Sequence, residues 1–233
     1  MAFMSPSLRA AVVGLFAIAG ALASPAQAQV TASLCGPLQN AYGPFDYRTH
    51  REKLSIVENF HFTPEVEALI KGKSGSLGGD IDYTLRASPN HHRALLALMR
   101  LSERTADPQP AALPRPLECY FERALRFQHD DPVARMIYAR FLAFKNRREE
   151  AANQLTLAAS HADRNPLTHY NVGLIYMELK DYARALEQAH KALALGLTRT
   201  ALKEQLQAAG HWREPVLPEQ ARPSSAAASS AAR

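Results

Sequence analysis

The chain has 233 residues, with 27 Lys and Arg against 22 Asp and Glu and a formal net charge of +5, both signs being interspersed along it. That balance speaks to solubility and argues against a dedicated nucleic-acid surface, because no aromatic and basic motif accompanies the charge. Beyond the N-terminal apolar run, no stretch approaches the roughly 20 apolar residues of a membrane-spanning helix, so no span is expected in the rest of the chain.

In chain order, a basic start ending at Arg9 leads into an uncharged run from Ala10 to Ala23 and then to Ser24-Pro25-Ala26-Gln27-Ala28. A short apolar region followed by an Ala-x-Ala site predicts a signal peptide over 1–28, cleaved after Ala28, and hence a periplasmic or secreted protein. Cys35 lies too far beyond the apolar run for lipidation. An exported pair of cysteines, Cys35 and Cys119, favours one disulfide in an oxidising compartment. Such a bond would staple the N-terminal segment onto the body of the chain.

Residues 29–87 form an N-terminal segment of helix and loop. Thr63-Pro64-Glu65 predicts a helix start, with Pro at the first helical position and acids in the first turn, and Gly72 its end. Gly75 to Gly79 reads as a flexible turn. The stretch Asp80 to Arg86 alternates like a strand, yet Thr84-Leu85-Arg86 before Ser88-Pro89 parallels Ala124-Leu125-Arg126 before Pro132, which favours a short helix.

From Ser88 an internal period governs the chain. Asp131-Pro132 and Asn165-Pro166 each place a capping side chain before a helix-starting Pro, and the two prolines are one 34-residue period apart. Counted from Pro166, the small residues Gly173, Ala185, Ala189 and Ala192 fall where two antiparallel helices approach closely, with Tyr176 filling between them. Counted from Pro132, Tyr138-Ala139, Leu142, Ala151, Leu155 and Ala158 occupy the same places. A third unit, starting at Ser88-Pro89 with Leu95-Leu96 and Met99 in those places, is lengthened by the Pro-rich stretch from Thr105 to Pro116. The expected units are therefore 88–131, 132–165 and 166–197, followed by a capping helix over 199–210 that stops at Gly210 and a disordered tail over 213–233.

The segment Asn171-Val172-Gly173-Leu174-Ile175-Tyr176, with Asp181-Tyr182 and Ala185 behind it, closely resembles the tetratricopeptide repeat family. The N-terminal stretch is similar to exported repeat proteins of proteobacteria, a likeness that carries no function. The resemblance implies an all-α fold, a short solenoid of about three helix pairs with a cap and an irregular N-terminal segment. It also implies a concave groove lined by Arg93, Ala97, Arg100 and Leu101, by Val133, Met136, Arg140 and Phe144, and by Leu167, Tyr170, Leu174, Met177 and Glu178. An extended protein segment bearing acids and large apolar anchors would suit such a groove.

Catalytic signals are absent from the sequence. Gly72-Lys73-Ser74 matches the end of a phosphate-binding loop, but that loop requires Gly where Glu67 stands. His91-His92, with His61, Asp80 and Asp82, could suggest metal ligands, yet adjacent helical residues diverge by about 100°, and no cofactor or metal is expected. Glu149-Glu150 and Asp130-Asp131 stand at helix starts, where acids complement the dipole. The leading reading is thus a periplasmic scaffold that binds another protein in envelope assembly, secretion or maturation, without enzymatic activity. One alternative is a small-ligand or metal site, or an enzyme, on the N-terminal segment. Another is a structural envelope component whose groove is filled by an apolar part of residues 29–87 lying along Met136 and Tyr170.

Overall fold

Helix starts and stops in the second half of the chain follow the local chemistry closely. In the computed structural model, which describes residues 35–105 and 113–215, Asp131 accepts hydrogen bonds from the backbone N–H groups of Val133 and Ala134 at 3.0 and 3.1 Å. Asn165 does the same for Leu167 and Thr168. Helices Pro132–Phe144 and Pro166–Glu178 therefore begin at the expected prolines. Each stops at a residue in the left-handed region, Asn146 at φ 59° and Lys180 at φ 56°. The stops share one hydrogen-bond pattern: Arg147 N–H donates to the Leu142 carbonyl and Asp181 N–H to that of Tyr176, both at 2.9 Å.

The described residues form ten helices and no strand. In order they are α1 Arg51–His61, α2 Pro64–Glu67, α3 Leu77–Ala87, α4 His92–Arg104, α5 Leu117–Phe127, α6 Pro132–Phe144, α7 Arg148–Ser160, α8 Pro166–Glu178, α9 Tyr182–Ala194 and α10 Ala201–Ala208. The chain is all-α over this range, and no helix in it is long and apolar enough to cross a membrane. The expected signal peptide, most of the expected tail and residues 106–112 of the Pro-rich connection lie outside the described residues.

The closest packing is within the pairs α6 with α7 and α8 with α9, while α4, α6 and α8 lie side by side and α10 lies against α8 and α9. Small residues allow this approach. Ala151, Leu155 and Ala158 on α7 and Ala185, Ala189 and Ala192 on α9 are buried against Tyr138, Leu142 and Tyr176. At Gly173 a Cβ would stand 2.5 Å from Leu202 Cδ2, so the missing side chain lets Leu202 of α10 rest directly on α8.

The N-terminal half departs from expectation in several places. Ser88-Pro89 does not open α4: Ser88 ends α3, and α4 starts at His92. His91 is its cap, with Nδ1 accepting from the Ala94 N–H at 3.1 Å. The positions matching Tyr138, Ala139 and Leu142 are consequently Leu98, Met99 and Ser102, all buried. Helix α2 ends at Glu67, well before Gly72, because Leu69 turns to φ 59° and thereby buries its side chain in the core. Gly72 serves another purpose, since a Cβ there would meet the Gly75 carbonyl oxygen at 2.0 Å. Within the supposed flexible turn, Ser76 caps α3, so Gly78 and Gly79 are helical and Asp80 to Arg86 is helix. Helix α1 had no sequence signal, and its cap residue His50 makes no side-chain capping bond.

Cys35 and Cys119 are bonded, with Cα atoms 5.0 Å apart, and this bond lays residues 35–37 across α5. Arg123 of α5, fully buried, donates to the carbonyl oxygens of Cys35 and Gly36 at 3.1 and 3.3 Å. A disulfide of this kind fits an oxidising compartment.

Candidate functional site

The side-by-side helices α4, α6 and α8 carry most of the residues expected to bind a partner. Arg140 of α6 lies 3.5 Å from Glu178 of α8, which sets the two helices' outward residues beside each other. Beside this pair Phe144 is 44% exposed and Leu174 and Met177 are half-buried, while Leu167, 41% exposed, stands at the opposite end of α8. Met136 is buried in the core. Tyr170 is buried too and borders a cleft with Ala189, Leu197 and Leu202, with the Arg199 guanidinium 5.9 Å from its ring centre. Its ring therefore belongs to the seat of α10.

On α4 the same face is occupied by the chain itself. Arg93 Nε donates to Glu67 at 2.9 Å, its Nη2 pairs with the other Glu67 oxygen, and Glu58 stands 3.5 Å away. Arg104 donates to the Leu69 carbonyl at 3.2 Å. Phe62, Val66 and Leu69 join the same buried cluster as Ala97 and Leu101. Arg100 remains exposed, its charge helping to hold the Glu67 carboxyl below the usual range after the dominant hydrogen bond from Arg93. An N-terminal segment thus covers α4, rather than lying along Met136 and Tyr170.

The five polar residues of the N-terminal alternative separate into distinct contacts. His61 Nδ1 meets Asp80 at 2.8 Å, and the other Asp80 oxygen accepts from the backbone N–H groups of Lys73 and Ser74 at 2.6 and 3.0 Å. Asp82 pairs with Arg86 at 2.8 Å, with Arg115 at 2.5 Å and with the Tyr120 hydroxyl at 2.8 Å. His91 Nε2 meets Glu58 at 2.9 Å, and His92 Nε2 meets Asp131 at 2.7 Å. Among the described residues, no three His, Cys, Asp or Glu side chains gather as metal ligands.

Sequence reasoning did not identify the junction around Asn90. This buried amide donates at 2.8 Å to both Asp46 and Asp131, and its oxygen accepts from the Tyr47 N–H at 3.0 Å. Arg48 completes the cluster by donating to Asp46 at 2.8 Å. Burial works against ionising Asp46, but the bonds from Arg48 and Asn90 outweigh it and hold the carboxyl down to about 2. Asp131 behaves likewise, with burial overcome by His92, the Ala134 N–H and Asn90. His91 is the reverse case: burial pushes its ring down and the Glu58 carboxylate only partly offsets it. Asn90 looked like an ordinary turn residue, because its partners are distant in sequence.

No family model, curated protein sequence or solved structure matches the chain.

Proposed function

We propose that the chain is an exported adaptor of tetratricopeptide-like repeats that binds an extended segment of another envelope protein across α6 and α8. The observation that carries this reading is the face on which exposed Phe144 stands beside the half-buried Arg140, Leu174 and Met177. Exposed large apolar side chains with an adjacent arginine suit an acidic segment with apolar anchors. The repeat reading is supported by α6 and α8, which share one capping and stop geometry, and by the close packing of each on the helix that follows it. Export is supported by the N-terminal sequence and by the disulfide. The groove of the proposed repeats is closed at α4 by Phe62 to Ile70, so the binding stretch lies further along.

The test is capture from periplasmic extract with the mature protein, using cross-links mapped by mass spectrometry. Cross-links should fall on α6 and α8. Capture should drop by roughly tenfold or more in an Arg140→Glu, Phe144→Ala variant, since each anchor is expected to contribute at least about 1 kcal/mol. Undiminished capture by that variant would overturn the assignment.

A further inference from the structure

We infer a second recognition site, separate from the face of Arg140 and Phe144: the cleft between the turn joining α5 to α6 and the turn joining α7 to α8 takes a primary ammonium group borne on an alkyl chain. The cleft, of about 340 Å³, has a lining that includes Arg48, Asp130, His161, Asp163, Asn165 and Thr168. Thr168 is 5% exposed, and its side-chain oxygen has no hydrogen-bond partner among the described residues, although Asn165 holds its backbone N–H. A hydroxyl shut away from water without a partner favours a polar ligand at its side. Asp163 is exposed, and its carboxylate has no ion pair among the described residues. Asp130 keeps one oxygen free, because the other lies 3.1 Å from Arg48 Nη2.

The charge around the cleft sets the sign of its ligand. Arg48 is shared among Asp46 at 2.8 Å, Asp130 at 3.1 Å and Asp131 at 3.9 Å. Buried Arg135, beside the same turn, donates to the His129 carbonyl and the Gln154 amide oxygen. Arg164 is exposed and stands outside the lining. The carboxylates of Asp46, Asp130, Asp131 and Asp163 therefore outnumber the guanidiniums of Arg48 and Arg135, in a chain whose net charge is +5. A cleft walled by one sign of charge concentrates ions of the other. Helix dipoles do not reverse this, since α5 and α7 end and α6 and α8 begin beside the cleft and ends of opposite sign offset one another. No three metal-ligating side chains gather among the described residues, which directs the site to an organic cation. Its free acceptors stand on two separate turns. The diverging N–H donors of an ammonium reach such acceptors, whereas a planar guanidinium suits a single carboxylate. The cleft is larger than an ammonium alone, and Pro132 and Ala162 give its alkyl chain apolar contact.

The probe is 1,4-diaminobutane, titrated at pH 8 into isotope-labelled mature protein and followed by amide chemical shifts, with 1,4-butanediol as the uncharged molecule of the same length. Saturable shifts are expected at Asp130, His161, Asp163 and Thr168 with the diamine, with a Kd below about 1 mM, and none with the diol. Asp163→Asn, at an exposed position, and Thr168→Val, which keeps the side chain's shape, should each weaken binding between about twofold and tenfold, the range of one hydrogen bond. Unchanged amide shifts away from the cleft show that each variant is folded. N-acetyl-lysinamide separates the two sources of such a group: binding tighter than the diamine assigns a partner's lysine, weaker binding assigns a free amine, and either supports the site. Absence of saturable shifts, equal binding of the diol, or undiminished binding by either folded variant would each overturn the proposal.

Discussion

The helices from Pro132 to Ala194 are organised by near neighbours, with each helix packing on the next and each start and stop made by residues within a few positions. The region from Asp46 to Arg104 is held differently. Asn90 reaches Asp131 and Asp46 across 41 and 44 residues, and a disulfide anchors Cys35 to α5. The contrast shows how a regular array accepts an irregular end. The repeating part needs apolar surface and caps, whereas the irregular part lacks period and substitutes a saturated polar junction and a covalent tie.

Reduction of the Cys35–Cys119 bond should separate the two regions most strongly. The bond closes a span of 84 residues, for which chain entropy gives roughly 4.5 kcal/mol. Hydrogen exchange should accelerate in residues 35–62 of the reduced protein while α6 to α9 stay protected. Limited proteolysis that cut first within 132–194 would show that the regions are not independent.

A smaller difference is expected between two residues with the same local task. Asp131→Ala should cost about 3 kcal/mol, about 1 for the cap and about 2 for leaving buried Asn90 and His92 short of an acceptor. Asn165→Ala loses only a cap on an exposed residue and should cost about 1 kcal/mol. Urea denaturation of the two variants measures the gap, and equal losses would mean that the junction adds nothing beyond the cap.

The smallest effect concerns acid. Because His91 Nδ1 accepts the Ala94 N–H, the ring cannot be protonated without losing the cap, and burial lowers its folded-state pKa. The unfolded ring titrates near 6.5. The stabilisation is therefore complete above that pH and declines as the pH falls from there toward the folded value, by at most about 1.4 kcal/mol per pH unit. Denaturation midpoints between pH 7 and 5 should fall less in His91→Asn, which keeps a capping acceptor that does not titrate. Parallel curves for the two proteins would assign the acid response to another group.

Among the groove residues proposed from the sequence, those on α6 and α8 could be placed in their helices because Pro132 and Pro166 set the count. Those on α4 were counted from Pro89, three residues before the helix begins, so Ala97 and Leu101 lie in the core. The error has a physical cause: histidine is an uncommon cap, and Asn90, a better one by type, is engaged by Asp46 and Asp131. Tyr170 fell under α10 because a tyrosine at that position serves a groove or a helix seat equally well, and only the neighbour decides.

The sequence by itself determined the helical character of the chain, the starts of α6 and α8, the final helix and the pairing of the two cysteines. These follow from caps, small residues at one period and the count of two thiols. Only the tertiary structure decided where α1 and α4 begin, that Phe62 to Ile70 covers α4, and that Asn90 joins Asp46 to Asp131. Each of these depends on hydrogen bonds or burial between residues far apart in the chain, where composition and spacing carry no record of the partner.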